Sequence, residues 1–488
     1  MKRVFTILTA LFFSAVAWAQ QEQSASFTLE QCIQYALDNS IAAKNADLDK
    51  QIAKAKVNET VGIGLPQISG SASIVHNQKL QRFFAYYPTA QAFGGLDENK
   101  QPLLNIPGLG DKDVVALQSP FQLKSSGTAS ATINQILFSG SYLVGLKASK
   151  TYTELSQRNS DQTDQDIIVQ VTKAYYGVLI NKERKTLFDD NIARVDSLLR
   201  NTSALNQNGF AEKIDVDRVK VNLNNLQSER DKFLNLIDLS IQLLKFQMNY
   251  PQEQQIDVVG SIQDLTLNTS IDTYKEGFDY KNRPDYKVLE VNKKLQELNI
   301  KNTNAANMPS LSAFATLGYS TQSPNVSGVF KTNSPFKNGE YPGVGPDTWY
   351  NYSQYGVNLS VPIFSGLQRH YRTQQEKLKL IQIDNNFGRL KQSVDFEITQ
   401  SAVNYNNALK SLSAQKENQQ LATNIAHVTK VKYEQGVGSS LEVTDAENSL
   451  RTAQTNYYAA LYDAMVAKVD LDKAYGRILP ASTTTNSK

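Results

Sequence analysis

Fourteen prolines are spread so unevenly over the 488 residues that none falls between Pro120 and Pro251, and none between Pro362 and Pro480. Inside a helix, proline removes a hydrogen bond and clashes with the preceding turn, at about 3 kcal/mol. The two proline-free stretches therefore predict very long helices. If residues 365–432 form mostly one helix, at 1.5 Å per residue it reaches ~100 Å, far more than a compact globular core can use.

Both stretches belong to a tandem repeat. Asn208-Gly209-Phe210 aligns with Gln435-Gly436-Val437 at an offset of 227, which also pairs Ile214-Asp215-Val216 with Leu441-Glu442-Val443 and Gln227 with Gln454. Leu137-Phe138-Ser139-Gly140 matches Ile363-Phe364-Ser365-Gly366, and the segment around Pro66 matches that around Pro309. Three landmarks in the same order define a duplication. The first repeat covers 20–254, with strands at 66–83 and 121–138 around an external loop at 84–120, then long helices turning near 209. A linker at 255–270 leads to the second repeat at 271–480, with strands at 309–322 and 351–364 around a loop at 323–350 and a helical turn near 436. Residues 481–488 form a tail.

The strands alternate. Leu311, Ala313, Ala315, Leu317 and Tyr319 interleave with Ser312, Thr316 and Ser320, and Tyr355, Val357 and Leu359 with Gln354, Asn358 and Ser360. Ile68, Ala72 and Ile74, and Ala129, Ala131 and Ile133, do the same against Ser and Thr. Period-two patterning predicts one apolar and one polar face. The helices instead carry a three-four seam, Val443, Ala446, Leu450, Ala453, Tyr457, Ala460, Ala464, Ala467 and Leu471, as in a coiled coil.

Strands of about ten residues can cross a bilayer when tilted, but only in a closed barrel, because open edges strand backbone groups in lipid. Four strands are too few, since small barrels already need about eight. The expectation is therefore a mainly α chain with a β-barrel portion, in which three copies share twelve strands. Phe83, Phe84, Tyr86, Tyr87, Trp349, Tyr350 and Tyr352 cluster at strand ends, as an interfacial aromatic girdle requires. The competing reading is a soluble sandwich with exposed tyrosines.

These features resemble the TolC-like outer-membrane efflux proteins over nearly the whole chain. The most specific elements are the duplicated strand-to-helix junctions at Leu137 to Gly140 and Pro362 to Gly366, and the helix break from Tyr433 to Ala446. The resemblance implies a homotrimer with a twelve-stranded barrel in outer-membrane lipid and a tunnel of long helices in the periplasm. It also implies a periplasmic adaptor protein docking near the turns at Gly209, Gly436 and Gly438, and an inner-membrane pump of RND or ABC type. The acidic residues that constrict the tunnel in this family match Glu442 and Asp445, with Asp215 in the first repeat, and a tyrosine of the closed-state lock matches Tyr433. An arginine of that lock in the best-known member is replaced by Gly438, so the closed state falls to other bonds, involving Lys213 or Arg218. Ser439 and Glu442 also fit a capping box, in which Glu442 simply starts its helix.

Lys2, Arg3, the apolar run to Val16 and Ala17-Trp18-Ala19 form a secretory signal at residues 1–19. Without Lys2 and Arg3 the chain carries 48 basic against 47 acidic residues, no electrostatic footprint for nucleic acid. Cys32 lies too far from the cleavage site to carry lipid and reads as a buried apolar residue. His76, His370 and His427 lack metal-ligand spacing, and no phosphate-binding or nucleophile motif occurs. The chain is thus read as no enzyme, with no cofactor or metal. The most concrete function is a passive exit duct of a tripartite efflux or type I secretion system; the alternative is a secreted coiled-coil structural or adhesive protein.

Overall fold

The computed structural model describes residues 25–94, 104–118, 121–260, 262, 267, 271–331, 345–346 and 348–478. The signal segment, the tail and parts of both expected external loops lie outside them. In chain order the elements are β1 (Ala25–Phe27), α1 (Leu29–Asn39), α2 (Ile41–Ile63), β2 (Gln67–His76), β3 (Arg82–Tyr86), α3 (Tyr87–Gly94), β4 (Val114–Gln118), β5 (Ser125–Phe138), α4 (Gly140–Gln207) and α5 (Lys213–Met248). Then follow β6 (Ile256–Val258), α6 (Ile271–Lys275), α7 (Pro284–Ala305), β7 (Ser310–Ser323), α8 (Val326–Val329), β8 (Tyr350–Ser360), α9 (Gln368–Glu434) and α10 (Ser440–Ala474). Residues 56–148 with 298–375 make a sheet unit, and the remaining segments a helical unit.

The sheet unit is built on four antiparallel strands in the order β2-β5-β7-β8. The two repeats meet at β5 and β7, from Ser125 opposite Ser323 to Phe138 opposite Leu311. A bulge between Ile136 and Phe138 shifts the register, so that Phe138, not Leu137, joins the row of Leu311 and Leu359. Directly paired residues point to one face. One face therefore carries rows such as Ile68, Ile133, Ala315 and Tyr355, the other rows such as Ser69, Thr132, Thr316 and Gln354. Hydroxyls pair across the second face, Ser73 with Thr128 at 2.8 Å and Thr132 with Thr316 at 3.1 Å. The first face is bare: Tyr355 is 90% exposed, Ile68 72% and Leu317 65%.

Several expectations need correction here. The strand placed at 66–83 stops at His76, and Arg82–Tyr86 pairs instead with Val114–Gln118 in a separate two-stranded sheet. Phe83, Phe84 and Tyr86 therefore sit on this outer hairpin, Phe84 and Tyr86 within the segment expected to be loop and Phe83 at the end of the expected strand. Tyr87 is buried, and its hydroxyl accepts a bond from the Ile106 amide, so it holds the loop together and faces no lipid. Tyr350 and Tyr352 lie opposite Ser320 and Gly318, on the hydroxyl-bearing face, and a Cβ on Gly318 would come within 2.8 Å of the Tyr352 ring. Only Trp349 keeps the parity of the apolar rows. Its indole N–H donates to the Val329 carbonyl at 2.9 Å, and its ring packs over Gly127. Pleat parity thus splits a cluster that looked continuous in sequence.

In the helical unit each long helix ends in the same way. Gly209, Asn249, Gly436 and Gly476 all have left-handed φ, from 55° to 80°. After each, the next amide reaches back five residues: Phe210 to Leu205 at 2.8 Å, Tyr250 to Lys245 at 2.8 Å, Val437 to Lys432 at 3.0 Å and Arg477 to Asp472 at 2.8 Å. These are Schellman stops, which satisfy carbonyls the helix leaves open. The second pair of stops repeats the first at 227 residues, with Asn249 standing where Gly476 stands.

The α10 seam is buried, with Val443, Ala446, Leu450, Ala464 and Leu471 all in the core, and Phe188 and Val195 of α4 likewise. Cys32 packs among Ala36, Val171 and Met248, and burial pushes its thiol up to about 12. The segment expected as a linker at 255–270 begins with a strand: β6 pairs in parallel with β1, burying Ile256 and Val258, while Asp257 pairs with Lys182.

Candidate functional site

Where α4 turns into α5 and α9 into α10, glycine supplies the left-handed residue that a side chain with a Cβ adopts only at a cost. Gly438 answers a different need: its φ is ordinary, but a Cβ there would stand 3.1 Å from the Tyr433 amide nitrogen. The turn approaches its own helix so closely that any side chain at this position would have to move it by a few tenths of an ångström. Phe210 and Val437, the residues just past the two stops, are about four-fifths exposed and form apolar knobs at the turns.

Repeat equivalence separates the acidic residues. Asp215 and Glu442 correspond, both in the first turn of a helix, where a carboxylate faces the positive end of the helix dipole. Three residues on, the repeats diverge. Arg218 lies 3.5 Å from Asp215, on the same helix. Its counterpart is Asp445, so the second repeat carries two exposed carboxylates, Glu442 and Asp445, on one helical face with no ion pair among the described residues. Like charges at this spacing repel. The Ser439 hydroxyl accepts the Glu442 amide at 3.2 Å, so the cap leaves the Glu442 carboxylate uncommitted.

Asp215, Tyr433, Gly436 and Gly438 meet around one cavity of about 680 Å³, also lined by Arg194 and Glu447; Glu442 and Asp445 do not line it. The Tyr433 hydroxyl lies 3.0 Å from that of Thr202, a fully buried residue of α4. Deeper in, Glu447 of α10 is only 8% exposed and meets Arg194 of α4 at 3.4 Å. Arg194 also donates to Asn191, which donates to Gln454 at 3.3 Å. The first repeat is thus bolted to the second by Tyr433–Thr202 and Arg194–Glu447. Lys213 and Arg218, expected in the closed-state lock, take no part in these bolts: Arg218 turns to its own helix, and Lys213 has no ion pair among the described residues.

Residues 280–477 match the family described as outer membrane efflux protein. The outer membrane protein TolC of Vibrio cholerae is 21% identical over 359 residues, covering 73% of this chain and 78% of that one. The second half of the chain thus carries the pattern of the outer membrane efflux protein family. Among solved structures, CusC is similar with a TM-score of 0.65 at 16% identity, covering 92% of this chain and 91% of that one. The open-state MtrE channel of Neisseria gonorrhoeae gives 0.65 at 16% identity over 92% and 88% of the two chains. VceC of Vibrio cholerae gives 0.63 at 13% identity over 92% and 96%. The likeness to these three structures over nine-tenths of the chain shows that it shares their fold.

The turn glycines and first-turn acids were visible in the sequence. Arg194, Thr202 and Glu447 were not singled out. The one signal available was opposite charge beside matched seam residues, Arg194 next to Val195 and Glu447 next to Ala446.

Proposed function

We propose that three copies of the chain close a twelve-stranded barrel and form the passive exit duct of a tripartite efflux or type I secretion system. The observation that carries this is the four-stranded sheet: β2 and β8 are edge strands, and one face is an exposed run of Ile, Leu, Val and Tyr. In lipid such edges must pair, and pairing β8 of one copy with β2 of the next satisfies them by symmetry. The hydroxyl-bearing face, with Tyr350 and Tyr352, then lines water, and Trp349 marks the outer interface.

At the other end, threefold symmetry would gather Glu442 and Asp445 of each copy into acidic rings that attract cations and hold divalent ions. Asp215 and Tyr433 belong to the wall behind them, with the Arg194–Glu447 pair holding the repeats together. The turns at Gly209, Gly436 and Gly438, with Phe210 and Val437 exposed, are the docking points for a periplasmic adaptor, and an inner-membrane pump of RND or ABC type supplies the energy. Protein extracted from outer membranes should have the mass of three chains and conduct in planar bilayers. A folded, water-soluble monomer indifferent to lipid would sink the proposal.

A further inference from the structure

A second cleft in the helical unit lies away from the turns, where the start of α2, residues 163–170 of α4 and the end of α5 come together. Its volume is about 880 Å³, within the roughly 300–1,000 Å³ of small-molecule clefts. The lining is mostly apolar, with Ile41, Ile167, Phe246 and Pro251. Phe246 is 71% exposed and Ile41 64%, so two large apolar side chains stand at the cleft with none of the described residues of this chain packed over them.

Lys245 also lines this cleft, and it is only 6% exposed. Its ammonium carries three donors, yet its one side-chain hydrogen bond is to the Gln252 carbonyl at 3.2 Å, and no carboxylate pairs with it among the described residues. An ammonium withdrawn from water without a counter-charge is costly, whereas lysines in such positions are normally paired. The acidic residue of the lining, Asp166, is committed elsewhere, to Lys473 at 2.8 Å. An apolar trough with an uncompensated positive charge fits an apolar chain ending in an anion. No arginine lines it to offer the forked donors that favour phosphate, so a monoanion suits a single ammonium.

We propose that this cleft binds a long-chain carboxylate, with its head group on Lys245 and its chain along Ile41, Ile167 and Phe246. The test uses the assembled, detergent-purified protein with hexadecanoic acid bearing a terminal diazirine, and the matching diazirine alcohol as the uncharged control. After photolysis, peptide mapping reads label at residues 41–42, 163–170 and 246–252, scaled to label on the apolar face of the sheet. A charge-assisted hydrogen bond should favour the acid about tenfold or more at these peptides. Lys245→Met should erase that preference with the circular dichroism unchanged. Equal labelling by acid and alcohol in the unaltered protein overturns the proposal, as does a preference that survives Lys245→Met, or label confined to the sheet. The acid–alcohol comparison needs no variant, so it decides the matter even where Lys245→Met fails to fold.

Discussion

Water hardly reaches Glu447, and leaving a buried carboxylate without a facing cation is destabilising. Arg194 is that cation, and its side chain is about one-third exposed, so the pair is partly screened. Arg194→Met should therefore cost about 2 kcal/mol, less than a fully buried pair would, read as a lower denaturation midpoint with unchanged slope. Adding Glu447→Gln should recover part of the loss, since the residual penalty is one of charge. Around Gly209 and Gly436, Asp215, Glu442 and Asp445 were legible because a glycine stop fixes where the next helix begins. The bolts between repeats were not, because which residues beside two seams come opposite each other depends on helix rotation, which a single sequence does not state.

The elements divide by how they announce themselves. Long helices declare their extent by excluding proline, and the four strands of the main sheet by seven or more residues of alternation. The β3–β4 hairpin and the β1–β6 pair are strands of five and three residues, too short for a period to stand out from a loop. The aromatic cluster divides between elements and faces for a related reason: proximity in sequence says nothing of pleat parity until the register is known.

Two tests belong at this scale. Gly436→Ala forces a Cβ into left-handed backbone and should destabilise by about 1–2 kcal/mol in thermal melts followed by circular dichroism, with Gly436→Asn costing less. On β7, Leu317→Arg puts a charge on the apolar face and should cost about 2–4 kcal/mol in bilayers, whereas Gln354→Arg on the opposite face should cost under about 1 kcal/mol. Equal costs in lipid-based unfolding assays would mean that the two faces meet the same medium.

For the whole molecule, the proposed acidic rings make the sharpest electrical prediction. Asp445→Ala should raise single-channel conductance and weaken block by divalent cations, and unchanged planar-bilayer currents would remove Asp445 from the constriction. Mixed assemblies of altered and unaltered chains should give graded conductance levels between the two parents. The number of copies is the least legible property at sequence level: alternation predicts a sheet, but only the shortage of strands says that the sheet is unfinished.

The open margins of that sheet also bear on supply. If three copies close the barrel as proposed, a chain entering lipid alone would expose the backbone of two strands, so insertion and association would be a single event whose yield depends on how often three newly made chains meet. Graded induction should therefore raise the assembled form more steeply than total synthesis at low dose, as read on semi-native gels, with the surplus single chains lost to proteolysis. For such a protein, abundance itself becomes a folding condition.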